Sequence, residues 1–135
     1  MKLLRTVVIK EIVTKRKKDE LISEYGKKLK QCERELEQLS FQLYKATRGV
    51  ESKHKREMIR SRFTEEMNKR KEKLDLLKFK IQQIEKLELG SEIRAGTAER
   101  IVEVNVGDPW PEREEEIIIK DGIINEIRES RRRDE

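Results

Sequence analysis

From about Lys18 to Leu87 the apolar residues recur at alternating steps of three and four, in two successive segments. The first series is Ile22, Tyr25, Leu29, Cys32, Leu36, Leu39, Leu43, Ala46 and Val50. The second is Phe63, Met67, Arg70, Leu74, Leu77, Ile81 and Ile84, with one cation among the apolar positions. Such spacing is the seam of a coiled coil. Folding the second segment back about Lys53 sets Leu43 opposite Phe63, Leu39 opposite Met67, Leu36 opposite Arg70 and Cys32 opposite Leu74. It also sets Leu29 opposite Leu77, Tyr25 opposite Ile81 and Ile22 opposite Ile84. Each layer joins an a position to a d position, as antiparallel helices require. Thr14 is placed to cap the first helix, Gly49 to end it and Ser52 to cap the return helix. Each helix should be about 50 Å long at 1.5 Å per residue.

Outside this region the period changes from three-and-four to two. Residues 3–13 are rich in Val, Ile and Leu, with Thr6, Val8, Lys10 and Ile12 alternating against Val7, Ile9, Glu11 and Val13, which suits a strand with one face better buried, and Val102, Val104 and Val106 alternate with Glu103 and Asn105 before Gly107-Asp108. Two isoleucine-rich runs, Glu116–Lys120 and Ile123–Arg128, flank Asp121-Gly122, the preferred pair for a type I′ hairpin. Lys120 should face Ile123, Ile119 face Ile124, and Ile117 face Glu126. Neither end of the chain carries enough strands for a stable sheet, so the two should unite. The expected fold class is α+β. A long antiparallel coiled-coil helical hairpin, residues 15–88, is inserted in a small antiparallel β module formed by both termini, residues 1–14 and 89–130. Residues 131–135 form a disordered tail.

Composition narrows the picture. Of the 135 residues only 34% are hydrophobic and 45% are charged, so burial must be thin and linear, as along a seam, with one small cluster elsewhere. The net charge of +5 is unevenly placed, since residues 15–88 hold 22 Lys or Arg against 14 Asp or Glu. One cysteine excludes an internal disulfide, and no Cys/His cluster is spaced for a metal. Arg5, Lys10 and Glu11 interrupt any apolar leader, and no run approaches a membrane span. A cytoplasmic protein is expected, with no membrane partner.

Catalytic machinery is hard to assemble from these residues. The lone His54 falls at the helical turn and the lone Cys32 in the seam, some 30 Å apart by the helical rise and out of nucleophile–base contact. The carboxylates are interleaved with Lys or Arg, with no pair set apart for acid–base work, and there is no Gly-rich phosphate loop. No catalytic, cofactor-binding or metal residues are expected, and no small-molecule substrate. Trp110, between Pro109 and Pro111, is expected to lie over the small β core, where its ring would supply burial.

Two features stand out. The turn region carries Lys45, Arg48, Lys53, Lys55, Arg56, Arg60 and Arg62 against only Glu51 and Glu57, a candidate polyanion-binding surface. Phe41 and Tyr44 on one helix, and Leu76 and Phe79 on the other, fall off the seam and are candidate contacts of a homodimer or higher homo-oligomer.

The run Leu89-Gly90-Ser91-Glu92-Ile93, then Val104-Asn105-Val106-Gly107-Asp108-Pro109-Trp110, then Ile119–Arg128 resembles the YlqD family of bacterial proteins. The resemblance extends along the whole chain. It implies a β start, a charged helical middle and a bacterial cytoplasmic home, and hints at ribosome biology, while supplying no functional residues. The expectation is therefore a non-enzymatic binding or scaffold protein, contacting RNA or a ribosome-associated partner through the basic turn region. The alternative is a prefoldin-like chaperone or structural assembly protein using oligomeric coiled-coil arms. Against homology with prefoldin, the strands here lie at the termini and not between the helices.

Overall fold

The computed structural model describes residues 1–111 and 113–131, the last two in backbone only. The chain is α+β, with two helices and a four-stranded sheet. In order the elements are β1 (Lys2–Ile12), α1 (Lys15–Thr47), α2 (Lys53–Glu85), β2 (Glu92–Glu103), β3 (Arg113–Lys120) and β4 (Ile123–Arg131). They form two compact units, Asp19–Lys86 and Met1–Lys18 with the chain from Leu87 onward. Of the expected tail, Arg131 closes β4 and residues 132–135 lie outside the described residues.

In the helical unit every seam position is at least partly buried, with Cys32, Leu77 and Ile84 the most enclosed. Cys32 Sγ donates to the Arg70 carbonyl at 3.1 Å, one turn along α2 from Leu74. The Arg70 guanidinium lies 3.6 Å from Glu35 and 2.7 Å from Glu66, so the cation at a seam position turns outward to two carboxylates. The contact joins the middle of α1 to the middle of α2, and only residues 48–52 connect them, so α2 runs back alongside α1. Gly49 ends α1 at φ +77, and Ser52 Oγ accepts the Lys55 N–H at 3.3 Å.

In the sheet unit the strand order is β2-β1-β3-β4. β1 pairs antiparallel with β2 from Lys2↔Glu103 to Ile12↔Glu92, and β3 pairs antiparallel with β4. The β1–β3 pairing is parallel, Val7↔Glu115 to Glu11↔Ile119. The sheet is therefore mixed, which corrects the all-antiparallel expectation. The connection from β2 to β3 passes over β1, so β3 lies beside β1 and runs in its direction. Alternation alone does not reveal that crossover.

Two further expectations are corrected. β2 begins at Glu92 and ends at Glu103, so Val106 lies outside it and is fully exposed. Gly96, at φ +151, sits beside the register shift opposite Ile9 and Lys10, and this bulge breaks the period by which the first half of β2 would be recognised. At the hairpin Asp121 (φ 48) and Gly122 (φ 79) adopt the expected left-handed pair, with Lys120↔Ile123 and Ile119↔Ile124. Beyond them Ile117 faces Ile127, because Asn125 bulges and moves Glu126 opposite Ile118. Ile118, Val13, Val7 and Val8 form the small core of this unit.

Candidate nucleic-acid interface

Six of the seven basic residues of the turn region are exposed, Arg56 is half-buried, and none makes an ion pair among the described residues. Their placement follows from the capping. Ser52 starts α2 so that Lys53, Lys55 and Arg56 occupy its opening turn, which holds no acidic residue. A helix begins with unsatisfied N–H groups and the positive end of its dipole. Cations there are locally unfavourable, and their positive potential adds to that of the helix end. Arg60 and Arg62 follow on α2, while Lys45 and Arg48 come from the end of α1 and its connection. Lys45 Nζ sits 4.6 Å from the centroid of the Phe41 ring, so one of the basic residues is tied to one of the off-seam aromatics.

Elsewhere on the helices the basic runs are engaged in part, while Lys71, Lys73, Lys78 and Lys80 of α2 also make no ion pair among the described residues. Lys17 pairs with Glu11 at 2.8 Å, and Lys18 Nζ donates to the Leu87 carbonyl at 3.0 Å. Lys69 and Arg70 share Glu66. Thr14 Oγ1 accepts the Lys17 N–H at 3.1 Å, capping α1 despite the four cations in its first turn. The sheet carries two further ion clusters. Glu115 lies between Arg100 and Arg5, whose hydrogen bonding and charge hold its carboxyl below the ordinary glutamate range. Glu116 is almost fully buried, with Lys10 at 2.8 Å and Arg128 at 2.9 Å. Glu92 and Glu116 together hold the Arg128 guanidinium above its ordinary value.

Phe41, Tyr44, Leu76 and Phe79 are 57–69% exposed, as their off-seam positions imply. Met58, at 51%, joins Lys55, Ile59 and Arg62 around a shallow depression in the basic region, an apolar element that a count of charges overlooks. Its signal is the i, i+3, i+4, i+7 spacing of Lys55, Met58, Ile59 and Arg62 on one face of α2. Trp110 does not cover the β core. It is 72% exposed and lines an open cleft of about 640 Å³ with Leu4, Val104, Pro109, Pro111 and Arg113. The flanking prolines stiffen its backbone, and the buried core of this unit is aliphatic, with Val7, Val8, Val13 and Ile118. His54 is exposed and Cys32 buried, and no group of three His, Cys, Asp or Glu side chains among the described residues is placed to hold a metal. No described helix is long and apolar enough to cross a membrane.

The model of the YlqD protein family matches residues 1–128. The chain belongs to the YlqD family. The uncharacterized YlqD protein of Bacillus subtilis strain 168 is 32% identical over 131 residues, covering 96% of this chain and 99% of that one. The crystal structure of a protein of unknown function from Synechococcus sp. WH 8102 superposes with a TM-score of 0.68, covering 95% of this chain and 94% of that one at 19% identity. That likeness supports the fold of this YlqD chain alone.

Proposed function

We propose that this YlqD protein is a non-enzymatic cytoplasmic binding or scaffold protein whose α1–α2 turn region contacts the phosphates of RNA or a ribonucleoprotein. In this reading the helices form an antiparallel coiled-coil hairpin inserted in the β module that the two ends of the chain build. The observation that carries it is the unpaired state of Lys45, Arg48, Lys53, Lys55, Arg56, Arg60 and Arg62, among the described residues, beside the positive end of α2. Cations without ion-pair partners offer charge-assisted hydrogen bonds to phosphate at little cost in broken contacts. No large aromatic lies between Lys45 and Arg62 on which a base could stack, so contacts there go to phosphate and not to base. Structured RNA is preferred over duplex DNA on the family's hint of ribosome biology. Fluorescence anisotropy with a labelled stem-loop RNA and a labelled DNA duplex at about 50 mM salt tests it, because phosphate contacts are strongest there. Sequence-tolerant, salt-sensitive RNA binding supports the proposal, and absence of any shift at that salt rejects it.

The second reading, an assembly or prefoldin-like chaperone role through oligomeric arms, is favoured by the exposure of Phe41, Tyr44, Leu76 and Phe79. A second hairpin packed antiparallel would set one pair against the other about a two-fold axis. Leu76→Ser/Phe79→Ser should then lower the mass seen by sedimentation equilibrium.

A further inference from the structure

β4 is an edge strand, with no partner on its outer side among the described residues. Edge strands offer free N–H and C=O groups to any extended chain, and stable monomers blunt them with charge, proline or bulges. The opposite edge, β2, follows that rule: Glu92, Arg94, Glu99, Arg100 and Glu103 stud it, and the bulge at Gly96 interrupts it. β4 does so less. Ile123, Ile124 and Ile127 are 72%, 59% and 71% exposed, and its bulge at Asn125 leaves Glu126 onward regular.

Two copies of one edge strand related by a two-fold axis perpendicular to the sheet keep their faces aligned, so paired residues must point to the same face. Axes near the centre of the strand's regular part pass through Glu126, Ile127, Arg128 or Glu129, and the last sets Glu129 against Glu129, a like-charge pair. The first sets Glu126 against Glu126, and the third sets Arg128 against Arg128, both like-charge pairs. The axis through Ile127 sets Ile127 against Ile127 and, on the other face, Glu126 against Arg128 twice. The Arg128 guanidinium itself is directed to the inner strands, Nε donating to Glu116 of β3 at 2.9 Å and both Nη groups to Glu92 of β2, with Glu126 of its own strand 3.7 Å away, so the register rests on avoiding like-charge pairs and on the isoleucine row. Ile127 already continues the row Ile9, Ile117, Ile127 across three strands, and the second copy extends that row through its own three isoleucines. We propose that β4 pairs antiparallel with β4 of a second copy of this chain, in the register that places Ile127 on the two-fold axis and Glu126 opposite Arg128. The contact is independent of the turn region and of the off-seam helix residues.

The test is sedimentation equilibrium of the full chain at about 100 µM, where even a weak contact is populated, together with cysteine cross-linking. Wild type should sediment as a dimer. Ile127→Lys, a cation on an exposed edge position, should sediment as a monomer with unchanged circular dichroism, while Leu76→Ser/Phe79→Ser should keep this contact. Under mild oxidation Ile127→Cys should give a disulfide dimer and Ile123→Cys, far from the axis in this register, should not; wild type, whose Cys32 is buried, sets the background. A monomeric wild type, an Ile127→Lys variant of unchanged mass, or equal cross-linking at positions 123 and 127 would overturn the proposal.

Discussion

Reversing Lys53, Lys55 and Arg56 to Glu separates binding from folding, because the two should move in opposite directions. None of the three makes an ion pair among the described residues, so the substitution breaks no contact of that kind. All three occupy the opening turn of α2, where the helix dipole opposes cations and favours carboxylates. An exposed charge at a helix end changes stability by about 0.3–1 kcal/mol, so the thermal midpoint should hold or rise. Binding should do the reverse. If five of the seven cations meet phosphates, log K falls with log salt at a slope of about −3.5 for single strands to −4.5 for duplexes. Affinity then drops roughly 100- to 500-fold between about 50 and 200 mM salt. The triple reversal should flatten the slope by about 2 and abolish binding at the higher salt. Anisotropy titrations at four salt concentrations, with thermal melts of both proteins, measure both quantities. Binding with an unchanged slope would refute the assignment of phosphate contact to this turn. A sharp fall in midpoint would refute the reasoning about the helix end.

The remaining predictions concern the scaffold. Leu77 and Leu76 are neighbours with opposite burial, 8% against 69% exposed: by urea unfolding Leu77→Ala should cost about 2–5 kcal/mol, while Leu76→Ala should stay within about 0.5 kcal/mol at concentrations too low for assembly. Glu116→Gln removes the carboxylate shared by Lys10 and Arg128. Both cations keep some access to water, so the expected loss is about 2–3 kcal/mol, at or below the low end for a broken buried pair, read by the same titration. Because Arg100 and Arg5 lower the Glu115 pKa in the folded state, its stabilising effect is complete above the ordinary value of 4.5 and is lost as pH falls through the lowered value. Glu115→Gln should therefore weaken the protein at neutral pH and reduce the steepness of its acid unfolding, followed by circular dichroism from pH 7 downward.

Local rules make most of the helical unit legible. The caps at Thr14 and Ser52, the stop at Gly49 and the burial of every seam position follow from capping geometry and from a period that survives Gly26 and Arg70. The Asp121-Gly122 turn is equally plain, because two consecutive left-handed residues suit few other pairs. What escapes depends on non-local pairing. The parallel partnership of β1 with β3 leaves no trace in either strand's own alternation, and the bulges at Gly96 and Asn125 erase the period on which strand recognition rests. Trp110 departs from its expected place over the core because aliphatic side chains such as Ile118 and Val13 already fill that core. The basic turn residues are readable as a set; their lack of ion pairing and the tie between Lys45 and Phe41 are not.

The inner position of β1 has a consequence for the order in which the protein assembles. β1 leaves the ribosome before its partners, which lie 80 or more positions later, from Ile12↔Glu92 to Val7↔Glu115. At about 5–20 residues per second, several seconds pass with a Val- and Ile-rich strand bare on both edges. The helices need only microseconds. Once they pair, the long connection between Val13 and Gly90 becomes two stiff rods joined by five residues, and the free energy of closing a long flexible loop is largely met before any strand docks. The backbone bonds Gly90 N–H to Val13 C=O and Val13 N–H to Ser91 C=O, each 2.8 Å, stand at the mouth of that closed loop. From there β2 can zip along β1 residue by residue, so pairing of the two helices during synthesis would turn a distant search into a neighbour's encounter.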